Sequence, residues 1–266
     1  MTSQSSQRDY SIQALQRGMK VLDALLDARA PLSLEQICAH TELPKSTAFR
    51  IIVNLLQGQY LVETGEGYWL GLKMLRFGAL IEEKLDLMQQ ARPFLIQLRD
   101  QVNETIHLAV LDGDLRVIYV EKLSTQHAIG LMMSRIGITA PMHCTALGKA
   151  MAAFRSEDEI RHWIRTHGLK PVTGATIVDE DAFLQELREI RSRGYAVDNG
   201  EFELSVRCVA APIRDRTGTV VAAVSISGPD TRMPMPLVGS SVAMQVVETG
   251  SHISQALGYL DEPAIL

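Results

Sequence analysis

The stretch Ser33-Leu-Glu-Gln-Ile-Cys-Ala-His-Thr-Glu-Leu-Pro-Lys-Ser-Thr-Ala-Phe-Arg50 decides how the amino-terminal part of the chain folds. Ser33 is a good N-cap, Glu35 and Gln36 fill a first helical turn, and Ile37 falls on the inward side, so 34–40 is expected to be a short helix. Pro44 then stands where a first helical residue belongs, and the run Lys45 to Gln57 continues with Phe49, Ile52 and Leu56 expected on its buried side. Working outward, Ile12, Leu15, Met19, Leu22 and Leu26 recur at three and four residues, the mark of an amphipathic helix, which Ala30-Pro31 ends. Downstream, Tyr60 to Thr64, Gly65-Glu66-Gly67 and Tyr68 to Leu72 read as two short strands joined by a glycine-rich turn.

Helix, helix, turn, helix and hairpin is the order of a winged helix-turn-helix. The third helix of such a module must offer small and polar groups at its start to enter a major groove about 12 Å wide. Lys45, Ser46, Thr47 and Arg50 supply them. The helix terminus itself favours phosphate, and Arg50 lies one turn on along the same side. A helical protein-interaction module with a solvated polar face is the alternative reading of the same pattern.

The 266 residues are 46% hydrophobic and 21% charged, enough to bury real cores in one or two domains. Net charge is −5, which by itself argues against a nucleic-acid partner. Its distribution permits one: residues 1–80 hold eight cations and seven anions, leaving eighteen and twenty-four for the remainder, so the acidic excess lies away from the helix-turn-helix. No apolar run approaches the ~20 residues of a membrane helix, and polar Met1 to Ser11 does not read as a signal peptide, so a cytoplasmic location is expected. Cys38, Cys144 and Cys208 are odd in number and far apart, which fits free thiols.

Leu72 to about Gln101 is largely helical, with a division expected around Met88 to Arg92 because Pro93 belongs near a helix start or a break. The boundaries expected are 11–72 for the DNA-binding domain, 73–90 for a linker helix and 91–260 for an effector domain. Strands are expected at 104–110, 117–122 and 128–133, helices at 145–154, 157–166 and 179–193, then strands at 195–199, 207–214 and 220–227 and a closing helix at 240–257. The fold class is therefore α+β.

Several strings together resemble the IclR family of bacterial transcriptional regulators. They are Pro44-Lys-Ser-Thr47 with Arg50, the wing Gly67-Tyr-Trp-Leu70, Pro141-Met-His-Cys-Thr-Ala-Leu-Gly-Lys149, Val206-Arg-Cys-Val-Ala-Ala-Pro212 and Ser225-Ile-Ser-Gly228, in that order and spacing across roughly residues 11–260. The resemblance implies a winged helix-turn-helix that contacts DNA through Lys45, Ser46, Thr47, Arg50 and Tyr68, a linker helix, and a GAF-like effector domain. It also implies dimers, or dimers of dimers forming homotetramers, on palindromic operators. Glu104-Thr-Ile-His-Leu108 and Ser134-Arg-Ile-Gly137 are most similar to the KdgR-like group, which implies a small organic acid effector such as 2-keto-3-deoxygluconate.

The family's effector site falls on Met132, Ala146, Leu147, Asp198, Cys208, Ser225 and Ser227. Their chemistry suits a small acid: a helix start near Ala146 and Leu147 offers free N–H groups, Ser225 and Ser227 share one strand face, Asp198 can accept from a hydroxyl, and Met132 and Leu147 are apolar. Ala146 and Leu147 stand where the glyoxylate-and-pyruvate type of site has glycine and alanine, which argues against that ligand.

Two other classes of function compete. Cys144 beside His143, with Asp198 elsewhere, offers the elements of a cysteine-dependent small-molecule enzyme, although neighbours on an extended segment point to opposite faces. A metabolite-sensing protein-interaction module would lack salt-dependent DNA affinity. No phosphate loop, dinucleotide fingerprint or paired metal-ligand spacing is present, so no cofactor, no metal and no catalysis are expected. Repression relieved by effector and activation by it both fit.

Overall fold

A computed structural model of the chain describes residues 12–84, 86–125 and 134–260, and divides it into two units, 1–84 and 85–266. The strand expected at 128–133 lies outside the described residues.

In the first unit, α1 (Gln13–Ala28), α2 (Leu34–Thr41) and α3 (Lys45–Gln57) are followed by β1 (Leu61–Thr64), β2 (Gly67–Leu70) and α4 (Leu72–Lys84). Ser33 caps α2 as expected: its side chain accepts from the Gln36 N–H while the Gln36 side chain accepts from the Ser33 N–H, a reciprocal box that satisfies two free donors of the helix end. Pro44 is the N-cap of α3 rather than its first residue. Val21, Leu25, Ile37, Ala48, Ile52 and Leu61 form one buried cluster that ties all three helices to the wing.

Two readings of helix faces need correction. Of the stripe Ile12, Leu15, Met19, Leu22 and Leu26, only Leu22 packs against the core and the other four are exposed, while Val21, Ala24 and Leu25 face inward. Phe49, expected to be buried, is 48% exposed, and Ala48 fills the inward position beside Ile52. Both errors have one cause: a helix with apolar residues on two sides has no unique inward face in sequence. The wing is anchored by paired peptide hydrogen bonds between Tyr68 and Leu32, and a Cβ on Gly67 would overlap the Leu32 carbonyl, so glycine is required there. Lys73 of α4 donates to the Gly58 carbonyl and lies over the Tyr60 ring, and Phe77 stacks on the same ring, which fixes α4 to the start of the wing.

The second unit opens with α5 (Asp86–Val102), which runs through Pro93 without ending there. The boundary between the two units falls earlier, after Lys84. Strands β3 (Thr105–Leu111), β4 (Val117–Leu123), β5 (Thr139–Ala140), β6 (Ala196–Asn199), β7 (Val206–Arg214) and β8 (Val220–Pro229) form one antiparallel sheet in the order β5-β4-β3-β8-β7-β6. Alternation along the strands sorts side chains to two layers. On β8, Ala222, Val224 and Ile226 pack with Leu95 and Leu98 of α5 and with Val246 and Ile253 of α9 (Ser241–Ala256). The opposite face meets α6 (Ala146–Ala152), α7 (Glu157–His167) and α8 (Glu180–Arg193) through Ala109, Ala210, Ala223, Trp163 and Phe183. Small residues on the three central strands let α6 approach closely; a Cβ on Gly148 would overlap the Met142 backbone. At roughly 1.5–3 kcal/mol per fully buried large side chain, these two layers hold the sheet together.

Candidate functional site

At one end of the face covered by α6 the inward side chains change from apolar to polar. The register places Asp198 of β6 opposite Cys208 of β7, Cys208 opposite Ser227 of β8, and Ser225 opposite His107 of β3. These groups line a narrow recess whose free interior is about 30 Å³, closed by Ala146 and Leu147 at the start of α6 and by Tyr119 and Phe202. Ala146, Leu147, Asp198, Cys208, Ser225 and Ser227 thus come together; Met132 lies outside the described residues.

Sequence reasoning missed His107, Tyr119 and Ser134 as lining residues. A lone histidine on an alternating strand carries no functional signal in the sequence, and only the strand pairing shows what His107 faces. Its Nε2 lies 2.8 Å from Ser134 Oγ and its Nδ1 3.3 Å from Ser227 Oγ, and Ser227 Oγ lies 3.5 Å from Ser225 Oγ. A neutral imidazole has one donor and one acceptor, which hydroxyl groups can complement on both sides. Burial, helped by the Lys122 ammonium, holds the His107 pKa down to about 3, so the ring is neutral at pH 7.

Asp198 behaves in the opposite sense. Burial, followed by repulsion from the Glu201 carboxylate, pushes its pKa up to about 7, although its Oδ1 accepts from the Glu201 N–H at 2.7 Å. At neutral pH it is present in both forms and can accept or donate. Neither lysine nor arginine lines the recess among the described residues. A carboxylate there must rely on hydroxyls, on Asp198 in its protonated form, and on the first-turn N–H groups of α6, of which Thr145 Oγ1 takes that of Gly148.

The cysteine–histidine reading fails on geometry. His143 and Cys144 occupy a turn, His143 Nε2 donates to the Lys170 carbonyl at 2.9 Å, and burial pushes the Cys144 thiol up to about 12. A thiol so poised supplies no thiolate at neutral pH. Among the described residues no cluster of three His, Cys, Asp or Glu side chains is arranged to hold a metal, and no helix is long and apolar enough to cross a membrane.

In the first unit, Lys45, Ser46 and Arg50 are exposed at the start of α3, and Thr47 is half-buried. Lys45 Nζ lies 2.6 Å from Glu35 Oε1, an exposed pair of little energetic weight that can release the lysine to a phosphate. Arg50 has no acidic partner among the described residues. Phe49, the residue before it, is also exposed. Tyr68 is half-buried against the core cluster, so its side chain supports the wing.

Comparison with known proteins fits both units. Residues 14–65 match the IclR helix-turn-helix domain, and residues 80–255 match the bacterial transcriptional regulator IclR C-terminal domain. The chain is 32% identical to the HTH-type transcriptional regulator KdgR of Escherichia coli K12 over 95% of each chain, and 31% identical to the transcriptional repressor IclR of the same strain over 93% of this chain and 90% of that one. Among solved structures, the IclR of Thermotoga maritima is similar with a TM-score of 0.72, 30% identity and coverage of 94% and 100%. An IclR homolog from Microbacterium hydrocarbonoxydans, complexed with 4-hydroxybenzoate, is similar with a TM-score of 0.79, 25% identity and coverage of 92% and 99%.

Proposed function

Because the chain belongs to the IclR family, and is a transcriptional regulator with a DNA-binding helix-turn-helix and an effector-binding domain rather than an enzyme, we propose that it senses a small hydroxylated organic acid in the recess beneath α6. The observation that carries this reading is the row Asp198, Cys208, Ser227, with Ser225 and His107 beside it, facing the start of α6. A carboxylate is held there by Ser225 and Ser227, by peptide N–H groups and by a protonated Asp198. Hydroxyls of a sugar acid find His107 and Ser134. The relatives that carry the name KdgR support a ligand of the 2-keto-3-deoxygluconate type. Tyr119 and Phe202 favour an aromatic acid as the second reading.

The operator is bound by two copies of the chain, each placing Lys45, Ser46 and Arg50 of α3 in successive major grooves about 34 Å apart, with the wing turn at 65–67 on the neighbouring backbone. The exposed stripe of α1 and the exposed Leu75 and Leu80 of α4 support a self-association surface within the first unit.

Thermal unfolding against keto acids, sugar acids and benzoates tests the effector reading. A ligand of the native state adds about 2.7 kcal/mol at a hundredfold excess over its Kd. One sugar acid should raise the Tm of the wild type and fail to raise that of Ser225→Ala. A shift by benzoates alone favours the aromatic reading, and no shift by any acid sinks both.

A further inference from the structure

The edge of the sheet carries a second recess, of about 290 Å³, lined from α6, α8, β6 and residues 235–238. Its charged floor is a chain of four groups. Lys149 Nζ lies 2.5 Å from Glu201 Oε1 and 3.7 Å from Glu186 Oε1, and Arg193 Nη2 lies 2.8 Å from that same Glu186 oxygen. Lys149 and Glu201 are buried while Glu186 and Arg193 keep some contact with solvent, and two cations face two anions.

One atom of the network is left over. Among the described residues Glu201 Oε2 is buried and has no hydrogen-bond partner, and its side chain is 8% exposed. A buried oxygen without a donor costs about 1–3 kcal/mol, so the position calls for a donor from outside the protein. An incoming cation would meet Lys149 and Arg193; an incoming anion would meet Glu186 and Glu201. A neutral donor avoids both repulsions. Val197 and Leu237 form an apolar wall beside the floor, which adds a preference for an aliphatic body.

We propose that this edge recess is a second small-molecule site, which takes a neutral ligand whose hydroxyl or amide N–H donates to Glu201 Oε2 while its aliphatic part lies on Val197 and Leu237. The site is separate from the effector recess but touches it through the turn that begins at Asp198, whose Oδ1 holds the Glu201 N–H. Its occupancy does not depend on what the effector is.

The test uses three probes with one isopropyl frame and different heads: 2-propanol, isopropylammonium and isobutyrate, each soaked into crystals of the full chain. The expected result is 2-propanol in the edge recess, with its oxygen about 2.5–3.0 Å from Glu201 Oε2, and neither charged probe there. Val238→Trp, at a half-exposed position lining the recess, should close the mouth and exclude 2-propanol. Water alone at Glu201, entry of a charged probe in preference to the alcohol, or unchanged 2-propanol in Val238→Trp would each overturn the proposal.

Discussion

Asp198 and His107 hold, in the folded protein, protonation states that neither would hold in the unfolded chain near pH 5. Asp198 binds a proton up to about pH 7 when folded and only to about 3.8 when unfolded, so its contribution falls as pH rises from about 4 to 7. His107 is neutral down to about pH 3 when folded and takes a proton below 6.5 when unfolded, so its contribution falls as pH drops below 6.5. Between about pH 4 and 6.5 the two proton counts cancel, and the pair contributes no pH dependence. Asp198→Asn keeps an acceptor for the Glu201 N–H and removes the buried acid. Urea unfolding of that variant should show greater stability than wild type at pH 8, by on the order of a few kcal/mol, and a new loss of about 1.4 kcal/mol per pH unit on acidification below 6.5. A variant whose stability runs parallel to wild type from pH 4 to 8 would show that Asp198 ionises normally. None of this is legible in the sequence, because it rests on which strands are neighbours: Asp198 and His107 are 91 residues apart, and their shared environment exists only through the β3-β8-β7-β6 pairing.

At the scale of elements, the caps and turns were readable and the faces were not. Ser33 before α2, Asp179 and Gly194 bounding α8, and the turn at 65–67 carry local signals, set by hydrogen bonds within a few residues and by positive φ at glycine. Which side of a helix is buried depends on partners distant in sequence, so α1 and α3 form where expected, yet α1 turns Val21, Ala24 and Leu25 inward and α3 keeps Ile52 and Leu56 inward but not Phe49. The recognition helix gains a residue from that error. Exposed Phe49 stands beside Arg50 on the side offered to a groove, and an aromatic ring there suits the methyl group of thymine. Arg50→Ala should weaken operator binding by about 1–3 kcal/mol through a lost base or phosphate contact. Phe49→Ala should weaken it by about 1 kcal/mol, and replacing operator thymines with uracil should reproduce that loss in wild type but add nothing in the variant. Gel-shift titrations at fixed salt decide it; additive losses would remove Phe49 from thymine reading. The α1 stripe makes a parallel case. Met19, 52% exposed, should tolerate Glu without loss of the fold, since Val21, Ala24 and Leu25 carry the packing. Sedimentation of Met19→Glu should then show weaker self-association than wild type, and an unchanged assembly would place the contact elsewhere.

For the whole molecule, regulation requires that a ligand beneath α6 alter how α3 meets DNA, and the two lie in different units of one chain. The covalent route between them is short: α4 is tied to the wing through Lys73 and Phe77, and α5 is tied to the sheet through Leu95 and Leu98, with the unit boundary after Lys84. Coupling through such a route is a free energy shared by both ligands. If effector changes operator affinity by some factor, operator must change effector affinity by the same factor, commonly 5- to 150-fold, whichever direction the response takes. Inserting two glycines between Lys84 and Leu85 lengthens and loosens the covalent connection without touching either binding surface. The insertion should leave effector affinity without DNA near its wild-type value, since the recess is built wholly within the second unit. It should bring the coupling factor towards one, measured by titrating effector with and without operator. Retention of the full factor would mean that the signal passes through contacts between copies of the chain rather than along it.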